Sequence, residues 1–131
     1  MIFVDTSVWI SYFRGASPAL TRHLDKLLDE DHCALSRPVR IEVLLGVSGR
    51  HLPRFRRLIS AIPLYDPSPQ TWPLIEDWVE RARSKGQRFG FADMLIAAVA
   101  AENQGAIWSL DHDFRRMEKF GFVGCHALPK S

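Results

Sequence analysis

Cysteine is scarce in this chain, with Cys33 and Cys125 the only two in 131 residues. Two thiols make no disulfide framework, and a reduced, cytoplasmic setting suits them. Charge of one sign is also lacking: 17 Lys and Arg stand against 15 Asp and Glu, a formal +2. So mild a balance does not by itself announce a nucleic-acid binder or a membrane-surface protein. Long apolar runs are missing too, and a membrane role is not expected. The longest charge-poor stretch, Phe89 to Ala101, still contains Asp93 and is shorter than a bilayer span. The opening Met1-Ile2-Phe3-Val4-Asp5 has neither the basic region nor the apolar segment of a signal peptide. No histidine or cysteine set has metal-ligand spacing, and no linker, repeat or low-complexity block divides the chain. What is present is average globular usage, 47% apolar and 24% charged. It predicts one domain over residues 1–131, large enough to bury roughly two thirds of its unfolded surface.

Short apolar runs alternate with helical periods, the pattern of an α/β sheet domain. Ile2 to Val4 is a strand-length run stopped by Asp5-Thr6-Ser7, a helix-capping cluster, and the helix that follows runs to Gly15. Leu20, Leu24, Leu27 and Leu28 repeat at helical spacing. Cys33-Ala34-Leu35 reads as a buried strand, followed by Ser36 and Pro38 opening a helix that stops near Gly46. Leu52, Phe55, Leu58 and Ile62 mark a further helix, and Tyr65 to Pro69 a turn. Trp72, Ile75, Trp78, Val79 and Ala82 line a helix face, with the tryptophans at core-like spacings. Ala92 to Gln104 is apolar nearly all round and reads as a buried helix. Ala106-Ile107-Trp108 is a central strand, Phe114 to Phe120 a short helix and Phe122 to Cys125 an edge strand.

Four carboxylates stand out by position. Asp5 and Asp111 each follow a strand-length run, and the crevice beyond strand carboxyl ends is where open α/β sheets bind ligands. Asp93 is the only charge between Phe89 and Ala101, in the first turn of the most buried helix. Glu42 sits among Ile41, Val43, Leu44 and Leu45, where an unpaired carboxylate is costly. Taken singly, Asp5 and Asp111 read equally well as helix caps, Asp93 as a dipole complement and Glu42 as a salt-bridged acid. Together the four could meet at one sheet edge. Convergent carboxylates repel unless a cation is present, and oxygen-only ligands suit Mg²⁺ or Mn²⁺. Such ions activate water and stabilise charge on a phosphate. With those four acids set aside, 17 basic residues face 11 acidic ones, a body of about +6 suited to a polyanion.

These motifs carry a resemblance to the PIN-domain family, and within it to the VapC toxin ribonucleases of bacterial toxin–antitoxin pairs. The matching segments are Val4-Asp5-Thr6-Ser7-Val8, Glu42-Val43-Leu44-Leu45-Gly46, Gly90-Phe91-Ala92-Asp93-Met94-Leu95-Ile96-Ala97-Ala98 and Ser109-Leu110-Asp111-His112-Asp113-Phe114, in order through the whole chain. The resemblance implies a three-layer fold, a mostly parallel sheet of four to five strands with helices on both faces. It implies an endoribonuclease whose activity inhibits growth, a homodimer, Mg²⁺ (or Mn²⁺ as substitute), an RNA substrate and a cognate VapB-type antitoxin that covers the groove. Asp5, Glu42, Asp93 and Asp111 carry over as the catalytic and metal-site acids. Asp113 reads as a further ligand or as a cap, and Thr6 and Ser109 as partners of water or phosphate or as caps. The alternative is a DNA-directed or non-catalytic module whose acidic groove binds a partner protein. A phosphoacceptor receiver domain fits less well, because Glu42 has no task there. The basic runs at Arg50, Arg54, Arg56, Arg57 and at Arg81, Arg83, Lys85, Arg88 suit RNA, a second subunit or antitoxin, or simply solvent.

Overall fold

A computed structural model describes residues 1–130, among which a five-stranded sheet is flanked by helices on both faces. The strands are β1 (Ile2–Val4), β2 (Cys33–Ser36), β3 (Leu64–Tyr65), β4 (Ala106–Trp108) and β5 (Gly124–Cys125), and every pairing is parallel. Spatial order is β3-β2-β1-β4-β5. Parallel neighbours need crossovers, and helices supply them. These are α1 (Thr6–Arg14), α2 (Pro18–Asp29), α3 (Arg37–Gly46), α4 (Leu52–Ile59), α5 (Thr71–Ser84), α6 (Phe91–Glu102) and α7 (Asp113–Lys119).

Local chemistry sets the element ends. Asp5 caps α1 through a hydrogen bond from the Ser7 backbone N–H, and Gly15 ends the helix at φ +65°, where a side chain would be strained. Ser36 accepts from Val39 N–H at the head of α3, and Pro38 fills the first turn, where no donor is needed. Helix α6 is buried from Ile96 to Ala100 and shields the sheet. The core gathers Phe3, Trp9, Leu24, Leu35, Phe55, Ile107, Trp108 and Phe114.

Three expectations change. Tyr65, expected in a turn, is paired with Ser36 in edge strand β3. The last strand is only Gly124–Cys125, because Phe122 and Val123 pack into the core instead of the ladder. Trp72 lies on the open side of α5 and is 45% exposed, unlike its buried counterparts Trp9, Trp78 and Trp108.

Gly105 leads into β4 with no room for a side chain: a Cβ there would overlap the ring of Phe3. Phe3 is buried against Tyr65, so the ring has nowhere to go. Gly105→Ala is expected to cost about 1–3 kcal/mol in urea unfolding, the range for overpacking a core.

A second feature ties the C-terminal segment down. His23 on α2 and His126 beyond β5 bring Nε2 to within 2.7 Å of Nε2, and the rings lie 6° from coplanar with centroids 5.0 Å apart. Centroids so much farther apart than the nitrogens mean the rings meet edge to edge, sharing one proton. Burial holds both imidazoles below their ordinary pKa; nearby Lys26 lowers His23 further while Glu30 opposes it, and each lies against Trp108. A histidine depressed in the folded state stabilises above its unfolded pKa and loses that contribution as pH falls. Between pH 7.5 and pH 5 the wild type should therefore lose more thermal stability than His126→Gln; equal losses would remove the histidine pair from the account.

Candidate active site

The strand order reverses between β1 and β4, and at such a switch point the connections leave on opposite sides and open a crevice. Asp5 follows β1 there, its N–H bonded to Trp108 O of β4 at 2.9 Å. Ser109, Asp111 and Asp113 follow β4 across the crevice. Helix α3 contributes Glu42 and the first turn of α6 contributes Asp93. An open groove of about 530 Å³ is lined by Asp5, Thr6, Glu42, Leu45, Asp93 and Asp111, among others.

Each acid is held differently. Asp5 is 5% exposed. Its Oδ2 accepts from Ser7 Oγ at 2.8 Å and from Ser109 Oγ at 2.7 Å. Among the described residues no donor reaches its Oδ1. Glu42 Oε1 accepts from Thr6 Oγ1 at 2.5 Å, so the hydroxyl of α1 orients the acid of α3. Asp111 Oδ1 accepts from Asp113 N–H at 2.9 Å and thereby also shapes the entry to α7. Asp113 Oδ1 is paired with Arg116 Nη1 at 2.7 Å. Among the described residues Asp93 has no such partner. Burial, and then the charges of Asp111, Asp5, Asp113 and Glu42, push its carboxyl up to about 6.

Asp5, Glu42, Asp93 and Asp111 line the one groove, and Asp113 reaches it beside Asp93 and Asp111. Asp93, Asp111 and Asp113 each offer an oxygen, all within 4.8 Å of one another. Donors that are all carboxylate oxygen, partly charged against each other and open to solvent, fit a hard divalent ion with retained waters. The cap reading of Asp5 holds at the same time, but the cap of α7 is His112, not Asp111; in both acids a backbone bond takes one oxygen and leaves the other.

Sequence reasoning singled out neither Ser7 nor Arg116. Ser7 Oγ accepts from Leu110 N–H at 3.0 Å and lies 3.2 Å from Ser109 Oγ, so it joins the segments after β1 and β4. Its place two residues after Asp5 was the available signal; the partner, about a hundred residues away, was not. Arg116 spans from Asp113 to Gln87 Oε1, 2.5 Å away, and lies over the Phe89 ring at 4.5 Å from its centroid. The spacing of three between Asp113 and Arg116 marks a helical ion pair. Thr6 and Ser109 both lie in the site, each bonded to an acid.

The PIN domain family model matches residues 2–120. A VapC ribonuclease of Mycobacterium bovis is 29% identical over 128 residues, covering 87% of this chain and 89% of the relative. Among solved structures, VapBC2 of Rickettsia felis, bound to a DNA fragment from its promoter, superposes with a TM-score of 0.79 at 17% identity, covering 96% of this chain and 98% of that one. VapC20 of Mycobacterium tuberculosis, described as a Sarcin-Ricin loop cleaving toxin, superposes with a TM-score of 0.59 at 20% identity, covering 89% and 95%.

Proposed function

Because the chain belongs to the PIN-domain family, we propose that it is a VapC-type endoribonuclease, the toxin of a toxin–antitoxin pair, which hydrolyses RNA phosphodiester bonds with Mg²⁺ or Mn²⁺. The observation that carries the reading is the convergence of Asp5, Glu42, Asp93 and Asp111 on one groove, with oxygens of Asp93, Asp111 and Asp113 within 4.8 Å of one another. So much negative charge at the switch point of a parallel sheet is costly unless a cation is bound. The VapC ribonuclease relative points the same way.

Asp93, Asp111 and Asp113 would hold the ion, and Asp5 Oδ1 and Glu42 Oε2 are left to take it or its waters. When bound, a divalent ion supplies Lewis acidity toward the phosphate and makes water acidic enough to attack near neutral pH. The protein's own groups fix the geometry. Ser7 and Ser109 lock the Asp5 carboxylate, Thr6 turns Glu42, and Arg116 holds Asp113. Glu42 Oε2, free of the Thr6 hydroxyl, would take the proton of the attacking water. The site acids are Asp5, Glu42, Asp93 and Asp111, with Asp113 as a fifth; Thr6, Ser7 and Ser109 position them.

The VapBC complex of Rickettsia felis supports a VapB-type antitoxin as partner. Apolar side chains beside the acids suit such a cover: Ile41, Leu45 and Phe91 are 50%, 82% and 66% exposed. A homodimer working in the cytoplasm, folded as one domain over the whole chain, completes the proposal.

The test incubates purified, antitoxin-free protein with total bacterial RNA, with Mg²⁺ or with EDTA, and sequences the new 5′ ends. Discrete cuts that vanish with EDTA are expected. Intact RNA from protein that binds Mn²⁺ would overturn the reading and favour a DNA-directed or binding module.

A further inference from the structure

A second cavity, of about 470 Å³, opens between the end of α5 and the start of α6. Val79, Arg83, Gln87, Arg88, Phe89 and Met94 line it. That volume is within the range of small-ligand sites. Its wall has an aromatic ring and a buried thioether, two guanidinium groups and no carboxylate.

Two neighbouring arginines are already engaged. Arg81 is bonded to Phe120 O and lies near Asp77, and Arg116 is paired with Asp113. Among the described residues, neither the Arg83 nor the Arg88 guanidinium has a hydrogen-bond or ion-pair partner. Arg88 contributes only its carbonyl, to Arg116. Two exposed cations flanking an aromatic wall, with no acid to neutralise them, are the furniture of single-stranded nucleic-acid sites.

The cavity is mechanically joined to the acids. Asp93 faces the acidic groove while its neighbour Met94 lines the cavity. Arg116 spans the two, gripping Asp113 on one side and Gln87 and the Phe89 ring on the other. Because Gln87 Oε1 is taken by Arg116, its Nε2 donor remains for an acceptor on a base edge.

We propose that this cavity receives one unpaired nucleotide of the RNA strand beside the phosphate held at the acids, its base against Phe89 and Met94 and its phosphate on Arg83 and Arg88. The proposal rests on the ribonuclease reading and adds a subsite that selects substrate. A nucleotide held there must be unstacked, so the enzyme favours loops and single strands over duplex. Gln87 and Phe89 then set the base preference at that position.

The test uses a short fluorescein-labelled single-stranded RNA spanning a mapped cut, and full-length protein carrying Asp93→Asn so that the RNA persists. Adding Arg83→Ala and Arg88→Ala should weaken binding about tenfold at moderate salt. The slope of log affinity against log salt should become shallower by about 1.4, roughly 0.7 for each lost phosphate contact on a single strand. Arg83→Lys with Arg88→Lys should restore the slope. An abasic nucleotide moved along the RNA should weaken binding at one position next to the cut, and that effect should disappear with Phe89→Leu. Both arginines are exposed, so matched melting curves are expected to show the variants folded. Unchanged affinity and slope, in a protein whose unmutated form cuts RNA, would overturn the subsite and leave the ribonuclease standing. An unmutated protein that cuts no RNA would overturn both. A change of oligomeric mass in the arginine variant with RNA binding intact would assign the cavity to a protein interface and overturn the subsite.

Discussion

Asp93→Asn is expected to reduce RNA cleavage about a thousandfold and, in ion-free protein at pH 7.5, to raise the melting temperature. Both follow from one environment. The carboxyl sits among four other acids and is pushed up to about 6 by burial and their charge. Asparagine keeps the shape but gives up the charge that a bound ion would require, and on the proposed mechanism the loss falls on the transition state. For stability the sign is opposite. A carboxyl whose folded pKa is above its unfolded value of 3.8 stabilises the fold at low pH, and that contribution is lost as pH rises through about 6. At pH 7.5 the ionised group therefore burdens the fold, and the amide removes the burden. Allowing for screening by the open groove, the gain is about 1 kcal/mol, or about 3 °C for a chain of this size. Differential scanning fluorimetry at pH 7.5 and pH 4 decides it. The gain must shrink at the lower pH, where the folded wild-type carboxyl is protonated; a gain independent of pH would mean the acids do not repel one another as described.

Saturating Mn²⁺ or Mg²⁺ should stabilise the wild-type protein by about 8 °C in the same assay. An ion at a hundred times its dissociation constant contributes about 2.7 kcal/mol. At roughly 3 °C per kcal/mol this gives the expected shift. Three carboxylate oxygens within 4.8 Å of one another supply the anchor, and relief of repulsion at Asp93 adds to it. Protons compete for the same oxygens, so the shift should fall as pH drops below about 6. Asp93→Asn should lose most of it. A wild-type melting curve unmoved by 10 mM Mn²⁺ would contradict the assignment of these acids to a metal whatever the activity, because this readout needs no RNA.

The acids were legible because the chemistry that places them is local. Asp5 and Asp111 end apolar runs, Asp93 breaks the longest charge-poor stretch, and Glu42 interrupts an apolar helix. The helix ends at Gly15 and Ser36 were legible for the same reason, since caps act within a few residues. What escaped depends on partners remote in the chain. Strand β3 is two residues long and exists because Leu35 and Ser36 offer a ladder; Leu64-Tyr65 alone carries no period to detect. Phe122 and Val123 have strand-like composition, yet packing against Trp78 and the core outweighs pairing. Ser7 looked like one capping hydroxyl among three neighbours, and only the approach of Ser109 gives it a second task. Glu42 was expected on a buried face, but Ile41 and Leu45 are exposed and the acid is half-buried beside Thr6, so it borders a groove.

The central pairing of the sheet joins Ile2 to Ala106 and Val4 to Trp108, so the first strand waits for nearly the last. Contacts of such long sequence separation slow folding, since the loop must close before any bond rewards it. During synthesis a ribosome that has made β1, β2 and β3 carries Asp5 and Glu42 with no Ser109, Asp111 or Asp113 to complete the constellation. Under the proposed ribonuclease reading, the nascent chain has no complete site until β4 and the segment after it have been made.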